Sequence, residues 1–316
     1  MMMPPAAPLL LQPLDEPAAA ARGIRLLLLR DDLTHSELPG NKWRKLKYNL
    51  QAAREQGHDK LLTFGGAYSN HIAAVAAAGR LSGLRTIGII RGEELAHRPL
   101  NATLTRARAD GMQLRFVSRE AYQRRHESGW VAELQQDFGP AYVLPEGGSN
   151  ALALPGCAEL LTELRTRTSF DYVAVACGTG GTLAGLVTGL LPPETAVGIA
   201  ALREGELLRA EVQRLLGNES ASSNWVLHSG FHHGGYARFS AGLLDFIRQF
   251  QARHGVLLDP VYTGKLLWGV LQLLEQDYFR PGSTLVAVHT GGLQGWAGFR
   301  QRFGKRSAWW PTEAAR

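Results

Sequence analysis

The chain has 316 residues, 45% of them hydrophobic, and a formal net charge of +6, enough to bury one large or two medium cores in a globular protein. Its arginines are scattered rather than massed among aromatics, and no apolar run approaches the roughly 18 to 20 residues of a membrane span, so neither nucleic acid nor membrane is expected as a partner. The two cysteines, Cys157 and Cys177, have no metal-ligand spacing, and the proline-broken start carries no basic residue before Arg22; both point to a cytoplasmic protein without a signal peptide.

The apolar run 24–30 (IRLLLLR) reads as a buried strand. The stripe of Trp43, Leu46, Leu50 and Ala53 predicts a helix over 42–56, stopped by Gly57. From there the pattern alternates. Strands at 60–64, 85–91, 113–118 and 141–145 are separated by helices at 69–81 and 100–110 and near 119–128. Beyond residue 150, helices at 155–167, 182–190, 204–216, 239–253 and 264–276 alternate or pair with strands at 171–177, 196–202, 225–228 and 284–290. Short apolar strands divided by helices of 10 to 15 residues are the pattern of parallel βαβ units, so a doubly wound α/β protein is expected. The interruption PEGGSN near residue 150 predicts two modules.

In such sheets ligands gather at the carboxyl ends of the strands. Four polar, glycine-rich loops fall there: GGAYSNH (65–71), GGSN (147–150), CGTGGT (177–182) and HTGG (289–292). In CGTGGT the glycines let backbone N–H groups approach an anion, the threonines add donors and the helix start adds a favourable dipole, so a phosphate is the natural guest. A dinucleotide fingerprint from Gly178 would need glycine where Leu183 stands, and no P-loop occurs. A nicotinamide-dependent dehydrogenase is therefore the weaker reading of this loop, and a tight turn is its purely structural one.

Lysine usage is a second signal. Of 34 basic residues only six are lysines, and Lys42, Lys45 and Lys47 share the segment GNKWRKLKY. A guanidinium stays protonated, whereas an amine can lose its proton and attack a carbonyl. A solvated basic helix face is the competing explanation. Elsewhere, Ser69 or Asn70 can cap the alanine-rich helix, and Ser69 lacks the flanking glycines of a nucleophile elbow. His232 and His233 lack ligand spacing, so no metal is expected. In DPVYTGK (259–265), Tyr262 or Thr263 is the expected helix cap.

GNKWRKLKY, GGAYSNH, CGTGGTLAGL, DPVYTGK and HTGG, in this order, resemble the pyridoxal-phosphate enzymes of the D-cysteine desulfhydrase and 1-aminocyclopropane-1-carboxylate deaminase family. The resemblance spans about residues 24 to 295. It implies a fold type II enzyme related to the tryptophan synthase β chain: two doubly wound parallel-sheet α/β domains with the cofactor, pyridoxal 5'-phosphate, in the cleft between them. Residues 41–150 would form the smaller domain, carrying the Schiff-base lysine and the SNH loop; residues 1–40 and 151–316 would form the larger, cofactor-binding one. Lys42 would carry the Schiff base. Lys45 with Gly178, Thr179, Gly180, Gly181 and Thr182 would hold the phosphate, and Asn70 the ring hydroxyl. Ser69, Tyr262 and Tyr236 would stand on the substrate side, and a homodimer is implied.

Thr263 and Thr290 occupy the places that meet the ring nitrogen, where deaminases of this family resemble VYEGK and HLGG. A hydroxyl does not favour a protonated ring, which suits β-elimination from D-cysteine better than opening a cyclopropane. Two departures surround the expected substrate site: Trp43 replaces a small threonine, and Ile72-Ala73-Ala74 follows SNH where the family carries Arg-Gln. A catalytically silent binding protein is the remaining reading.

Overall fold

The computed structural model describes residues 7–217 and 224–304. The chain opens with β1 (Leu11–Pro13), a single-turn α1 (Pro17–Ala20), β2 (Arg25–Leu29) and α2 (Asn41–Glu55). Next come β3 (Lys60–Gly66), α3 (Asn70–Ser82), β4 (Arg85–Arg91), α4 (Ala102–Ala109), β5 (Met112–Val117), α5 (Arg119–Gln123), α6 (Ser128–Phe138) and β6 (Tyr142–Leu144). The second half holds α7 (Ala153–Arg165), β7 (Tyr172–Cys177), α8 (Gly181–Thr188), β8 (Thr195–Ala200), α9 (Gly205–Leu216) and β9 (Trp225–His228). It closes with α10 (Ala241–His254), α11 (Thr263–Glu275), β10 (Thr284–Val288) and α12 (Gly295–Phe303).

Two sheets result, ordered β1-β2-β10-β7-β8-β9 and β5-β4-β3-β6. Every pairing is parallel except β1 with β2 at one edge. The larger sheet is covered on both faces, which is why its strands are almost continuously apolar. In β2, Leu26 and Leu28 face a core with Leu266 and Val270 of α11, while Leu27 and Leu29 face another with Leu161 and Leu183 of α7 and α8. In the smaller sheet Leu61 packs with α2 and α3, and Leu62 and Phe64 pack with Trp130 and Leu134 of α6.

The sequence pattern differs from the structure in several places, the single-turn α1 among them. The helix expected near 119–128 is only Arg119–Gln123 followed by a 3-10 turn, and α6 begins without the side-chain cap that would mark its start in the sequence. α12 likewise starts without a cap, and three-residue β1 is too short for a periodic signal.

α2 serves both halves. Leu46, Leu50 and Ala53 join the core beneath the smaller sheet, while its opposite side lies on α7. There Arg44, 1% exposed, meets Asp31 Oδ1 at 2.9 Å and both oxygens of Glu163 at 3.0 and 3.1 Å. Gly156 of α7 permits this, because a side chain there would run into the Arg44 carbonyl.

Candidate active site

The carboxyl ends of both sheets open on one cavity of about 1570 Å³. α2 enters it through Gly40, which adopts φ +69° and lies so close to the Thr290 carbonyl that no other residue fits. That approach sets Lys42, in the first turn of α2, on the cavity wall beside the 289–292 loop. Its Nζ is 3.4 Å from Asn41 Oδ1, and Asn41 Nδ2 donates to Thr182 Oγ1 at 2.9 Å, tying the helix start to the glycine loop. Burial, then the charge of Lys45, pulls the Lys42 amine down to about 7. A large fraction is thus unprotonated near neutrality, the reactive state of an amine.

Lys45 lies one turn further on, on the same face, and is 2% exposed. Its Nζ donates to the Gly147 carbonyl at 3.2 Å and Ser149 Oγ at 3.0 Å, and Ser149 Oγ lies 2.6 Å from Thr179 Oγ1. The GGSN and CGTGGT loops, distant in sequence, thereby meet around one ammonium. Burial lowers the Lys45 pKa also. Gly178, Thr179, Gly180 and Thr182 line the cavity where α8 begins, with Gly180 at φ +74°. Gly181 stands just behind, where a side chain would collide with Ser149.

Ser69 does two things. Its Oγ caps α3, accepting from the His71 and Ile72 N–H groups at 3.2 and 3.3 Å, and it also lines the cavity. Asn70 lines it too, and its Oδ1 is buried without a partner, an acceptor kept available to a guest. Tyr262 lies against Gly178, its ring 6.5 Å from that of half-exposed Tyr236 on the rim. Burial holds the Tyr262 phenol well above its usual range, so it stays protonated. Tyr236 is steadied by fully buried Lys265, whose Nζ donates to the Gly235 carbonyl at 2.7 Å.

The two threonines part company. Thr290 lines the cavity, whereas Thr263 is fully buried off its wall and committed to Asp259. Asp259 is also the cap of α11 that was expected at Tyr262 or Thr263: Oδ1 accepts from the Val261 and Tyr262 N–H groups and Oδ2 from the Thr263 N–H, each at 2.8 Å. The available signal was Asp before Pro at a helix start. Trp43 does not reach the cavity; it is 7% exposed in the core with Leu46, beneath Lys47. Of the three residues after His71, Ala73 and Ala74 line the cavity and Ile72 is core. Lys47 pairs with Glu159 of α7 at 2.7 Å. His232 and His233 shape their own loop, Nδ1 of His232 accepting from the Gly234 N–H and Nδ1 of His233 lying 2.9 Å from Ser240 Oγ.

These residues fit pyridoxal phosphate. The cavity offers an amine poised near neutrality, a glycine-lined helix start with a lysine at its edge for a doubly charged phosphate, and an unpartnered amide oxygen for a ring hydroxyl. The comparisons agree. The family described as pyridoxal-phosphate dependent enzyme matches residues 8–291. A D-cysteine desulfhydrase of Yersinia pestis is 32% identical over 292 residues, covering 85% of this chain and 87% of that one. The mitochondrial bifunctional D-cysteine desulfhydrase/1-aminocyclopropane-1-carboxylate deaminase of Arabidopsis thaliana is 31% identical, covering 86% of this chain and 73% of that one. A crystal structure described as an ACC deaminase homologue superposes with a TM-score of 0.81 at 29% identity, covering 95% and 94% of the two chains.

Proposed function

The chain belongs to the family of pyridoxal-phosphate dependent enzymes, and from that premise we propose that it is a lyase removing the β-substituent of a small amino acid, D-cysteine first, to leave pyruvate, sulfide and ammonia. The relatives named D-cysteine desulfhydrase support the substrate class. When bound, the cofactor would supply an electron sink for the pair left on the substrate's α-carbon.

The chain's own groups do the rest. Lys45, Thr179, Thr182 and the backbone of Gly178, Gly180 and Gly181 would hold the phosphate, Asn70 the ring hydroxyl and Thr290 the ring nitrogen. Lys42 anchors the cofactor and, as a free amine, takes the α-proton. The carbon–sulfur bond breaks with its electron pair going to sulfur, and Tyr262, held protonated, gives the departing sulfur a proton. Ser69 and Tyr236 orient the substrate from either side. Water then completes release of pyruvate and ammonia.

One observation carries the choice of elimination. Asp259, whose carboxylate lies beside Gly292 in the loop that also carries Thr290, already accepts four hydrogen bonds from Val261, Tyr262 and Thr263 and does not line the cavity, whereas the neutral Thr290 does. The second reading, opening of 1-aminocyclopropane-1-carboxylate, is favoured by the bifunctional Arabidopsis relative; that substrate has no α-proton and calls for a stronger sink. Sulfide release from D-cysteine, measured beside 2-ketobutyrate release from 1-aminocyclopropane-1-carboxylate, tests the choice. Ketobutyrate without sulfide overturns it.

We also read residues 41–150 as the smaller domain and the remainder as the larger, with the cavity as their cleft. Two free, buried cysteines support a reducing, cytoplasmic setting, and the resemblance supports a homodimer; light scattering of the purified protein tests the latter.

A further inference from the structure

Arg91 ends β4 and is paired in register with Gly66, the last residue of β3. The sheet therefore sets it beside the loop that runs into Ser69 and Asn70, and it lines the cavity. One terminal nitrogen lies 3.6 Å from where a side chain on Gly66 would begin. The guanidinium lies over the Tyr122 ring, 5.6 Å from its centre, and Arg125 lies 5.0 Å from the same centre. Tyr122 is 2% exposed, so the platform under both cations is fixed.

The two arginines differ in charge balance. Arg125 Nε is 2.8 Å from Glu146 Oε2, while among the described residues no carboxylate comes within ion-pair distance of Arg91. A guanidinium held over an aromatic ring still has N–H groups to offer a planar, bidentate oxyanion, a geometry lysine cannot match. The cavity is also larger than the roughly 300 to 1,000 Å³ of ordinary small-molecule sites, leaving space beyond a three-carbon amino acid.

We propose that Arg91 is the subsite for a second anionic group at the far end of a longer substrate's side chain, a carboxylate, sulfonate or phosphate, so that among the substituted amino acids this cavity admits, those carrying an extra negative charge bind tighter than their neutral analogues. The proposal rests on the reading of the cavity as an amino-acid site.

S-carboxymethylcysteine and S-carbamoylmethylcysteine match in size and differ in that charge. Both enantiomers of each are to be measured with holoenzyme and with Arg91→Gln, by turnover and, independently, by calorimetric affinity. The holoenzyme is expected to bind the carboxymethyl compound at least roughly tenfold tighter, and Arg91→Gln to bring the ratio close to one. Tyr122→Leu, which removes the platform and leaves the cation, should lower the ratio part of the way. A ratio near one in the holoenzyme, or one unchanged in Arg91→Gln, overturns the proposal. Failure of either compound to be cleaved, with the affinity ratio behaving as expected, counts against the lyase reading and leaves the Arg91 subsite standing; cleavage of both without charge preference does the reverse.

Discussion

Thr263 and Asp259 close a two-way hydrogen-bonded pair: the Thr263 hydroxyl donates to Asp259 Oδ2 and accepts from the Asp259 backbone N–H, both at 2.8 Å. Burial raises the Asp259 carboxyl pKa, while the donors from Thr263, Tyr262 and Val261 pull it back down. The pair fixes the first turn of α11 and hence the departure of Tyr262 toward the cavity. It also commits the fully buried Thr263 hydroxyl, as donor and as acceptor, to Asp259.

The two threonines are therefore separable by substitution. Thr263→Val should cost about 1 kcal/mol of stability from the lost hydroxyl bonds and leave the visible spectrum of bound cofactor in place. Thr290→Val should shift that spectrum with a smaller change in melting temperature. A spectral shift of equal size in Thr263→Val would show that its hydroxyl does reach the cofactor.

Lys42→Ala should lose the covalently held cofactor. After borohydride treatment, the peptide containing residue 42 carries the added mass in the wild type and not in the variant, and turnover falls by about a hundred- to ten-thousandfold. An adduct found instead on Lys45 or Lys265 in the wild type refutes the assignment.

The amine of Lys42 should titrate in the cofactor-free protein near pH 7. Its ammonium form is disfavoured by burial and by Lys45, so the unprotonated fraction, and with it the rate of labelling by an amine-reactive reagent, climbs through about pH 7 and levels off above. Lys45→Met removes a positive neighbour and should move the midpoint upward. Mass spectrometry of the labelled peptide reads both; a midpoint near that of an ordinary lysine contradicts the burial argument.

Arg44→Met tests the seam between α2 and α7. The variant keeps the apolar stem but leaves Asp31, fully buried with its pKa already raised by burial, without its cation. Breaking a buried pair in this way costs about 3 to 5 kcal/mol, which a urea melt of the variant would show as a lower midpoint. A loss below about 1 kcal/mol would mean the pair is not part of the folded core.

Much of the site was legible before folding. Lys42 stands out because the chain otherwise writes positive charge as arginine, and the glycine-rich loops fall where parallel strands end, which local pattern alone can place. Ser69 as a helix cap follows from its position before an alanine-rich run. The structure adds that the same hydroxyl also faces the cavity.

Local pattern decided the elements and the order of the loops, because strand and helix periodicity, glycine conformations and lysine usage are written within a few residues of one another. Tertiary packing decided which polar side chains face the cavity. It turned Thr263 inward to Asp259 and Thr290 outward, buried Trp43 in the core, and brought Ser149 to Lys45 and Thr179. Among the described residues, it left Arg91 beside Gly66 with no carboxylate within ion-pair distance. The contacts of Ser149 with Lys45 and Thr179 and the pairing of Arg91 with Gly66 join segments far apart in the chain, whose partners become defined only when the two sheets and α2 are in place; Thr263 and Asp259 are four residues apart, and packing decides only which way their pair faces.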